Sequence, residues 1–232
     1  MADVQQSEYY SGDIARQLLS HYDAHARTLP WRTPPGTGFA NPYHVWLSEI
    51  MLQQTTVAAV GSYFQKFTHI WPSFAALAAA ADADVMAAWA GLGYYARARN
   101  LLKCARVVVT EHGGRLPETE AELLKLPGVG PYTAAAITAI AFGQRAVVVD
   151  ANVERVVSRL FAISTPLPQS KPQIRAATDS ITPDRRTGDF AQAMMDLGAG
   201  MCSVRAPSCL ICPVAFACEG MRLGNPEVYP AK

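Results

Sequence analysis

The chain has 232 residues, half of them hydrophobic and 17% charged, with a formal net charge of +1. That length allows one large domain or two smaller lobes, and the composition is ordinary for a soluble globular protein. The apolar stretch from Ala134 to Phe142 is too short for a bilayer and contains Thr138, so no membrane partner is expected. Near-neutral charge announces no nucleic-acid partner by itself, and any such surface must come from local clusters.

Along the chain the pattern is helical nearly throughout. Asp13 to Ala26 predicts a first amphipathic helix, followed by a Pro/Gly-rich loop from Thr33 to Asn41. Pro42 then stands where a first-turn proline belongs, opening Tyr43 to Phe67 as one long helix or two joined near Gly61. Ser73 to Ala81 and Asp84 to Ala90 predict short helices, each opened by a Ser or Asp cap. Arg97 to Glu111 is the next helix, stopped by Gly113-Gly114. Its Arg97, Arg99, Lys103 and Arg106 form one candidate basic cluster, although such a run is usually a solvated face.

Thr119 and Glu122 make a capping box for a helix ending at Leu126-Pro127. Val147-Val148-Val149 is too short to found a sheet, and Asp150 caps a helix through Phe161. Ser164 to Lys171 is a proline-rich loop, and Asp189 to Gly198 a last helix before the cysteines. With no sheet to build on and no repeat, the expected fold class is all-α.

Several of these segments carry residues suited to chemistry. The turn Leu126-Pro127-Gly128-Val129-Gly130 lies between two helices, with two glycines expected at positive φ and amides at the start of the helix opened by Pro131. Such amides fit a phosphate, and a tight ligand-free hairpin fits the pattern equally well. Glu49 projects from an apolar helix face set by Val45, Trp46 and Leu52. A carboxyl desolvated there favours its neutral acid, and the alternative is a rim glutamate bent to solvent. Asp150 is explained by capping alone, and capped amides favour its anion. A neutral acid beside an anion is the division of labour that glycosidic cleavage uses. The aromatic loop Gly91-Leu92-Gly93-Tyr94-Tyr95 suits insertion into a base stack or, more plainly, core packing. The run Gln53-Gln54-Thr55-Thr56 is a polar helix end.

Cys202, Cys209, Cys212 and Cys218 are spaced C-x6-C-x2-C-x5-C. Four thiolates so close can ligate one metal centre, and their first gap is too long for paired zinc-ribbon spacings, which favours an iron–sulfur group over zinc. Two disulfides are the alternative. The N-terminus carries no secretory pattern, however, and a cytoplasmic location (nucleoid-associated in a bacterium) favours metal. Cys104 stands apart as a small core residue.

Together these segments resemble the helix-hairpin-helix DNA glycosylase superfamily, most closely the adenine DNA glycosylases (the MutY type). The matching segments are Leu29 to Arg32, Trp46 to Thr55, Gly91 to Asn100, Leu126 to Ala134, Val149 to Val153, Gln192 to Gly198 and the four cysteines. The resemblance implies a six-helix barrel lobe over residues 30–145, with the helix-hairpin-helix at about 119–142. It implies a second lobe from 1–29 and 146–232, holding one [4Fe-4S] cluster on residues 202–218, with the catalytic cleft between the lobes. The implied reaction is hydrolytic removal of adenine mispaired with 8-oxoguanine or guanine in double-stranded DNA, by a monomer.

By the same resemblance, Glu49 is the general acid and Asp150 the carboxylate that stabilises the sugar cation, supported by Tyr132 and Asn152. Endonuclease III-like relatives carry a lysine nucleophile at position 132, so the tyrosine here implies a glycosylase without a strong lyase step. Gln54, Thr55, Leu92 and Tyr94 match residues that contact the opposing base. Gly128, Gly130 and Arg205 match phosphate contacts, and Trp31, Arg32, Leu52, Val57 and Gln192 match the adenine pocket. The chain stops at Lys232, where such enzymes usually continue into a Nudix-like domain. That implies a catalytic fragment or a short natural protein. Thymine glycosylases acting on T:G mismatches lack the domain and are the alternative enzyme; a non-catalytic iron–sulfur DNA-binding module is the alternative of another class.

Overall fold

Asn41 opens the helix on which the candidate acid stands. Its side-chain oxygen accepts from the amides of Tyr43 and His44, and Pro42 occupies the first turn, where a missing N–H costs nothing. This helix, α2 (Pro42–Leu52), is buried all round, from Tyr43 through Met51 apart from His44. Only a central helix can be so apolar, and α2 packs on α3 (Val57–Ile70), α6 (Tyr95–His112) and α8 (Pro131–Phe142). α8 is equally apolar, with Thr133 to Ala141 all buried.

The computed structural model describes residues 2–231, and side chains from residue 12 onward. The chain forms two compact units: Met1–Arg27, Pro34–Thr37 and Gly143–Lys232 make the first, Thr28–Thr33 and Gly38–Phe142 the second. Besides α2, α3, α6 and α8, the second unit holds α4 (Phe74–Ala78), α5 (Asp82–Trp89) and α7 (Glu120–Leu123). The first unit holds α1 (Ala2–His25), α9 (Ala151–Leu160), α10 (Lys171–Ile181), α11 (Thr187–Asp196) and α12 (Glu219–Arg222). Among the described residues there is no strand, as the sequence pattern required, and no helix long and apolar enough to cross a membrane. Residues 1 and 232 of the expected second lobe lie outside the described residues.

The differences from the sequence reading have local causes. The long helix breaks at residues 53–56, not near Gly61, because Thr56 caps α3 through the Ala59 amide. α5 begins at Asp82 after Ala81, without a side-chain cap, so Asp84 does not open it. The polar stretch after Lys171 forms α10, whose only apolar anchors are well spaced, Ile174 and Ile181 being buried beside Thr178. The expected basic cluster is not one surface. Arg97 is buried, and Arg106 turns back to Asp82 and the carbonyls of Ala78 and Ala80. Cys104 is a fully buried core residue, its thiol pushed up to about 12 by burial.

Candidate active site and cysteine cluster

In the second unit, Glu49 is only 6% exposed, a consequence of standing on a helix packed on several sides. Tyr132 lies half-buried in the first turn of α8, the helix against which α2 packs. Gln53, just past the end of α2, donates from Nε2 to the Gly128 carbonyl and to Thr133 Oγ1, both at 3.4 Å. One amide side chain thus ties the helix bearing the acid to the α7–α8 hairpin.

In that hairpin Thr119 caps α7 through the Glu122 amide, and Val129 is buried beneath the turn. Gly128 has φ of 78° and lies against Asn100, whose Cβ would be 3.0 Å from an added methyl. Gly130 has neither a positive φ nor a neighbour that a methyl would meet, so the expectation of two left-handed glycines holds only for Gly128.

The segments expected to meet the opposing base are set by unusual backbone. Gln54 and Tyr94 take φ of 56° and 48°, left-handed values that cost a non-glycine residue about 1–3 kcal/mol each unless the surroundings hold them. Gln54 is exposed, Thr55 half-buried and Tyr94 61% exposed. Leu92 differs from the expectation, being buried at 6% beneath its own loop. Gly91, at φ of 101°, must be glycine, because a Cβ would stand 2.2 Å from Tyr63 Oη. Of the expected base pocket, Trp31 is buried edge-on to Phe64, while Arg32, Leu52 and Val57 are half-buried in this unit.

In the first unit, Asp150 is the N-cap of α9 and is half-buried. Its Oδ1 accepts from the Val153 amide at 2.7 Å and its Oδ2 from Asn152 Nδ2 at 3.0 Å. Asn152 Oδ1 accepts from Arg155, which also donates to the carbonyls of Gly198 and Cys202. Burial lowers the Arg155 pKa most; Cys202 raises it, Arg159 lowers it and Asp150 raises it. The single helix α9 therefore carries the candidate anion at its start and reaches the first cysteine one turn later.

Gly198 makes this possible, since its added Cβ would stand 2.6 Å from Asn152 Cβ. It lies in the π-helical turn Leu197–Met201, a local widening often found at functional sites. Gly198→Ala is expected to push the Asn152 end of α9 aside and to cost about 1–3 kcal/mol, checked by thermal melting. Gln192 is buried on α11, donating to the Gly188 carbonyl at 3.3 Å.

Cys202, Cys209, Cys212 and Cys218 are free thiols and line one cavity, together with Arg159, Val156, Leu160 and Val214. Burial raises the Cys209, Cys212 and Cys218 thiols, Cys212 to about 11, and each is raised further by its cysteine neighbours. Crowded, desolvated thiols of this kind are poor isolated anions and good ligands for a group that supplies positive charge. Among the described residues no three His, Cys, Asp or Glu side chains converge on a point where a single metal ion could sit. The four thiols line one cavity, a donor set whose chemistry fits a thiolate-bound metal group.

Arg159, fully enclosed, holds the rim by donating to the Ser203 and Val204 carbonyls at 2.6 and 3.0 Å and to Cys202 Sγ at 3.4 Å. Arg205 is exposed in the loop between the first two cysteines. Sequence reasoning missed Arg155 and Arg159; the available signal was an arginine pair four residues apart on a helix otherwise apolar at Val156, Val157 and Leu160.

Residues 47–183 match the model of the HhH-GPD superfamily base excision DNA repair proteins. The chain belongs to that family. It is 46% identical to the human (Homo sapiens) adenine DNA glycosylase over 209 residues, covering 87% of this chain and 38% of that protein. It is 39% identical to the adenine DNA glycosylase of Mycolicibacterium smegmatis, covering 90% of this chain and 70% of that one. These matches place it in the adenine DNA glycosylase branch of the family. The chain spans about two fifths of the length of the mammalian relatives it matches. A solved thermostable thymine-DNA glycosylase shares the fold at a TM-score of 0.81 and 29% identity, over 93% of this chain and 98% of that one.

Proposed function

We propose that this chain is the catalytic part of a monofunctional adenine DNA glycosylase, acting as a monomer on double-stranded DNA in which adenine is mispaired with 8-oxoguanine or guanine. The observation that carries the reading is the buried Glu49 on a helix tied to the hairpin by Gln53, in a chain 46% identical to a protein named for adenine excision. Its place of action is the compartment of the chromosome, which in a bacterial cell is the cytoplasm, on the nucleoid.

The chemistry follows from the two carboxyl environments. Adenine must leave the base stack before any side chain can reach its glycosidic bond. Glu49, buried on α2, donates a proton to the purine ring, so that the C1′–N bond breaks with adenine departing as a neutral molecule. Asp150, hydrogen-bonded to the Val153 amide and Asn152, offers negative charge to the sugar cation as it forms. Water adds to C1′, and the proton it releases balances the one Glu49 gave. Tyr132 and Asn152 support this centre. Trp31, Arg32, Leu52 and Val57 of the second unit are the candidate adenine contacts, with Gln192 of the first a further candidate. Gln54, Thr55 and Tyr94 are the candidates for probing the opposite strand, and Leu92 packs inside its own loop. The hairpin turn at Gly128 and Gly130, with Arg205, takes phosphates.

Cys202, Cys209, Cys212 and Cys218 would hold one [4Fe-4S] cluster, which supplies a covalent staple for the loops between them. Around it Arg155 and Arg159 fix the loop carbonyls to α9.

The deciding assay is alkaline cleavage of duplexes carrying A:8-oxoG, A:G, T:G and A:T after incubation with the protein. Strand breaks confined to the first two support the reading. A second reading, removal of thymine from T:G, is favoured by the whole-length match to the thymine-DNA glycosylase structure; breaks at T:G alone would establish it. No breaks on any duplex would leave a DNA-binding module.

Position 132 supplies a separate test. Borohydride reduction during turnover is expected to trap little covalent adduct, because a phenol forms no Schiff base. Tyr132→Lys is expected to raise trapping at least tenfold, since it brings an amine nucleophile to the sugar. Efficient trapping by the unaltered protein would overturn the monofunctional assignment.

A further inference from the structure

Arg97 is a charged side chain where none is expected. It lies in the first turn of α6, the positive end of that helix dipole, and is 7% exposed. Among the described residues no carboxylate pairs with it. Its guanidinium instead donates to backbone carbonyls of two separate segments. One nitrogen serves Met51 at 2.8 Å and Ile50 at 3.4 Å, in the last turn of α2; the other serves Leu92 at 3.2 Å. The last carbonyls of α2 lack partners within their own helix and form its negative end, so a cation there is favourable. The same guanidinium stands 5.4 Å from the ring centroids of both Trp89 and Tyr94.

Among the described residues of the second unit, left-handed non-glycine backbone occurs in these two segments, at Gln54 and Tyr94. Among the described residues no other hydrogen bond joins them. The Leu92 loop has braces of its own: Tyr63 Oη donates to the Ala90 carbonyl at 2.8 Å, and Trp89 Nε1 to the Gly93 carbonyl at 3.0 Å. Neither reaches α2.

We infer that Arg97 is a positioning residue: one guanidinium locks the end of the helix bearing Glu49 to the Leu92–Tyr94 loop, so that contact with the opposing base and alignment of the acid are held as one rigid piece. The inference rests on the proposed function for its consequence, and on geometry alone for the bridge. Lysine cannot replace it, because an ammonium point charge cannot span carbonyls of two segments while presenting a flat face to two rings.

The bridge is tested without DNA, by amide hydrogen exchange on the full chain. Arg97→Lys is expected to speed exchange at least tenfold in both residues 50–55 and residues 91–95, with α3 unchanged. Tyr63→Phe, which removes a brace of the loop alone, is expected to loosen only residues 91–95. Loosening of one segment alone by Arg97→Lys would overturn the bridge, as would loosening of neither. If that variant does not fold, Tyr94→Ala decides: its ring is 61% exposed, so the core survives its loss. Faster exchange at residues 50–55 is then expected, and none there overturns the bridge.

The consequence is read in single-turnover excision. Arg97→Lys is expected to narrow the rate ratio of A:8-oxoG to A:G about tenfold, the scale of one lost base contact, with duplex affinity changed less than threefold. A proportional fall on both duplexes would mean Arg97 serves only the fold. No excision by the unaltered chain would sink the functional reading, while the exchange result would still decide the bridge.

Discussion

Glu49→Gln is expected to slow single-turnover release of adenine by about 10²- to 10⁴-fold, the usual contribution of a positioned general acid. The substitution keeps the shape and the hydrogen-bonding capacity of a side chain that is only 6% exposed, so the packing of α2 against α8 has no reason to change. What is removed is the transferable proton, an interaction realised only in the transition state. Duplex affinity should therefore stay within a few-fold of the unaltered protein while the rate collapses. The measurement is a rate under enzyme excess together with a binding isotherm on the same mispaired duplex. A rate near that of the unaltered chain would remove Glu49 from the chemistry, and parallel loss of binding and rate would assign it to the fold.

Cys212→Ser is expected to remove the broad visible absorbance and most of the iron of the purified protein, and to lower its melting temperature. The effect should be large because the four cysteine segments have little else to hold them. Leu210 and Ile211 are 93% and 72% exposed, and the short turns between the cysteines contribute few buried side chains, Val214 being the clearest. A group bound by four thiolates supplies its binding free energy directly to folding of such a region. Gly220 shows how closely the next segment packs on α9, since a Cβ there would stand 2.6 Å from the Arg159 carbonyl. Loss of the ligand should therefore be felt along α9 as far as Arg155 and Asn152, and DNA binding should weaken before the second unit melts. Elemental analysis of the unaltered protein is the control, and zinc in place of iron would overturn the cluster assignment while leaving the ligand set intact.

The candidate chemistry was legible in the sequence to the extent that it depends on residue type and local order. Helix periodicity puts Glu49 on an apolar face, and a carboxylate ahead of Ala151 is bound to cap the helix that follows, as Asp150 does through Val153. Four cysteines within a short segment can be gathered at a small loop-closure cost, and the fold does place all four on one cavity. The all-helical class followed from the same local rules; of the helix boundaries that were misplaced, the break at residues 53–56 is set by the Thr56 cap, while α5 starts at Asp82 with no side-chain cap to mark it.

Other features belong to the tertiary structure alone. Arg97 and Arg106 lie on the same helix and look alike in sequence, yet one is enclosed against the carbonyls of α2 and the other pairs with Asp82 at the surface. Which of them turns inward depends on where unpartnered carbonyls of a distant helix end, and no local pattern encodes that. Leu92 is buried and Tyr94 exposed although both are apolar residues of one loop, and the left-handed backbone at Tyr94 is a feature that no local pattern of a non-glycine residue announces. The link from Asp150 through Asn152 and Arg155 to Cys202 needs Gly198 to come within a side chain's width of α9, a proximity across 46 residues that only folding creates. The sequence by itself thus determined which groups could act as acid, anion and ligand. The tertiary structure decided which charged side chains are removed from water and bound to backbone, because desolvation is a property of the packed interior and not of the chain.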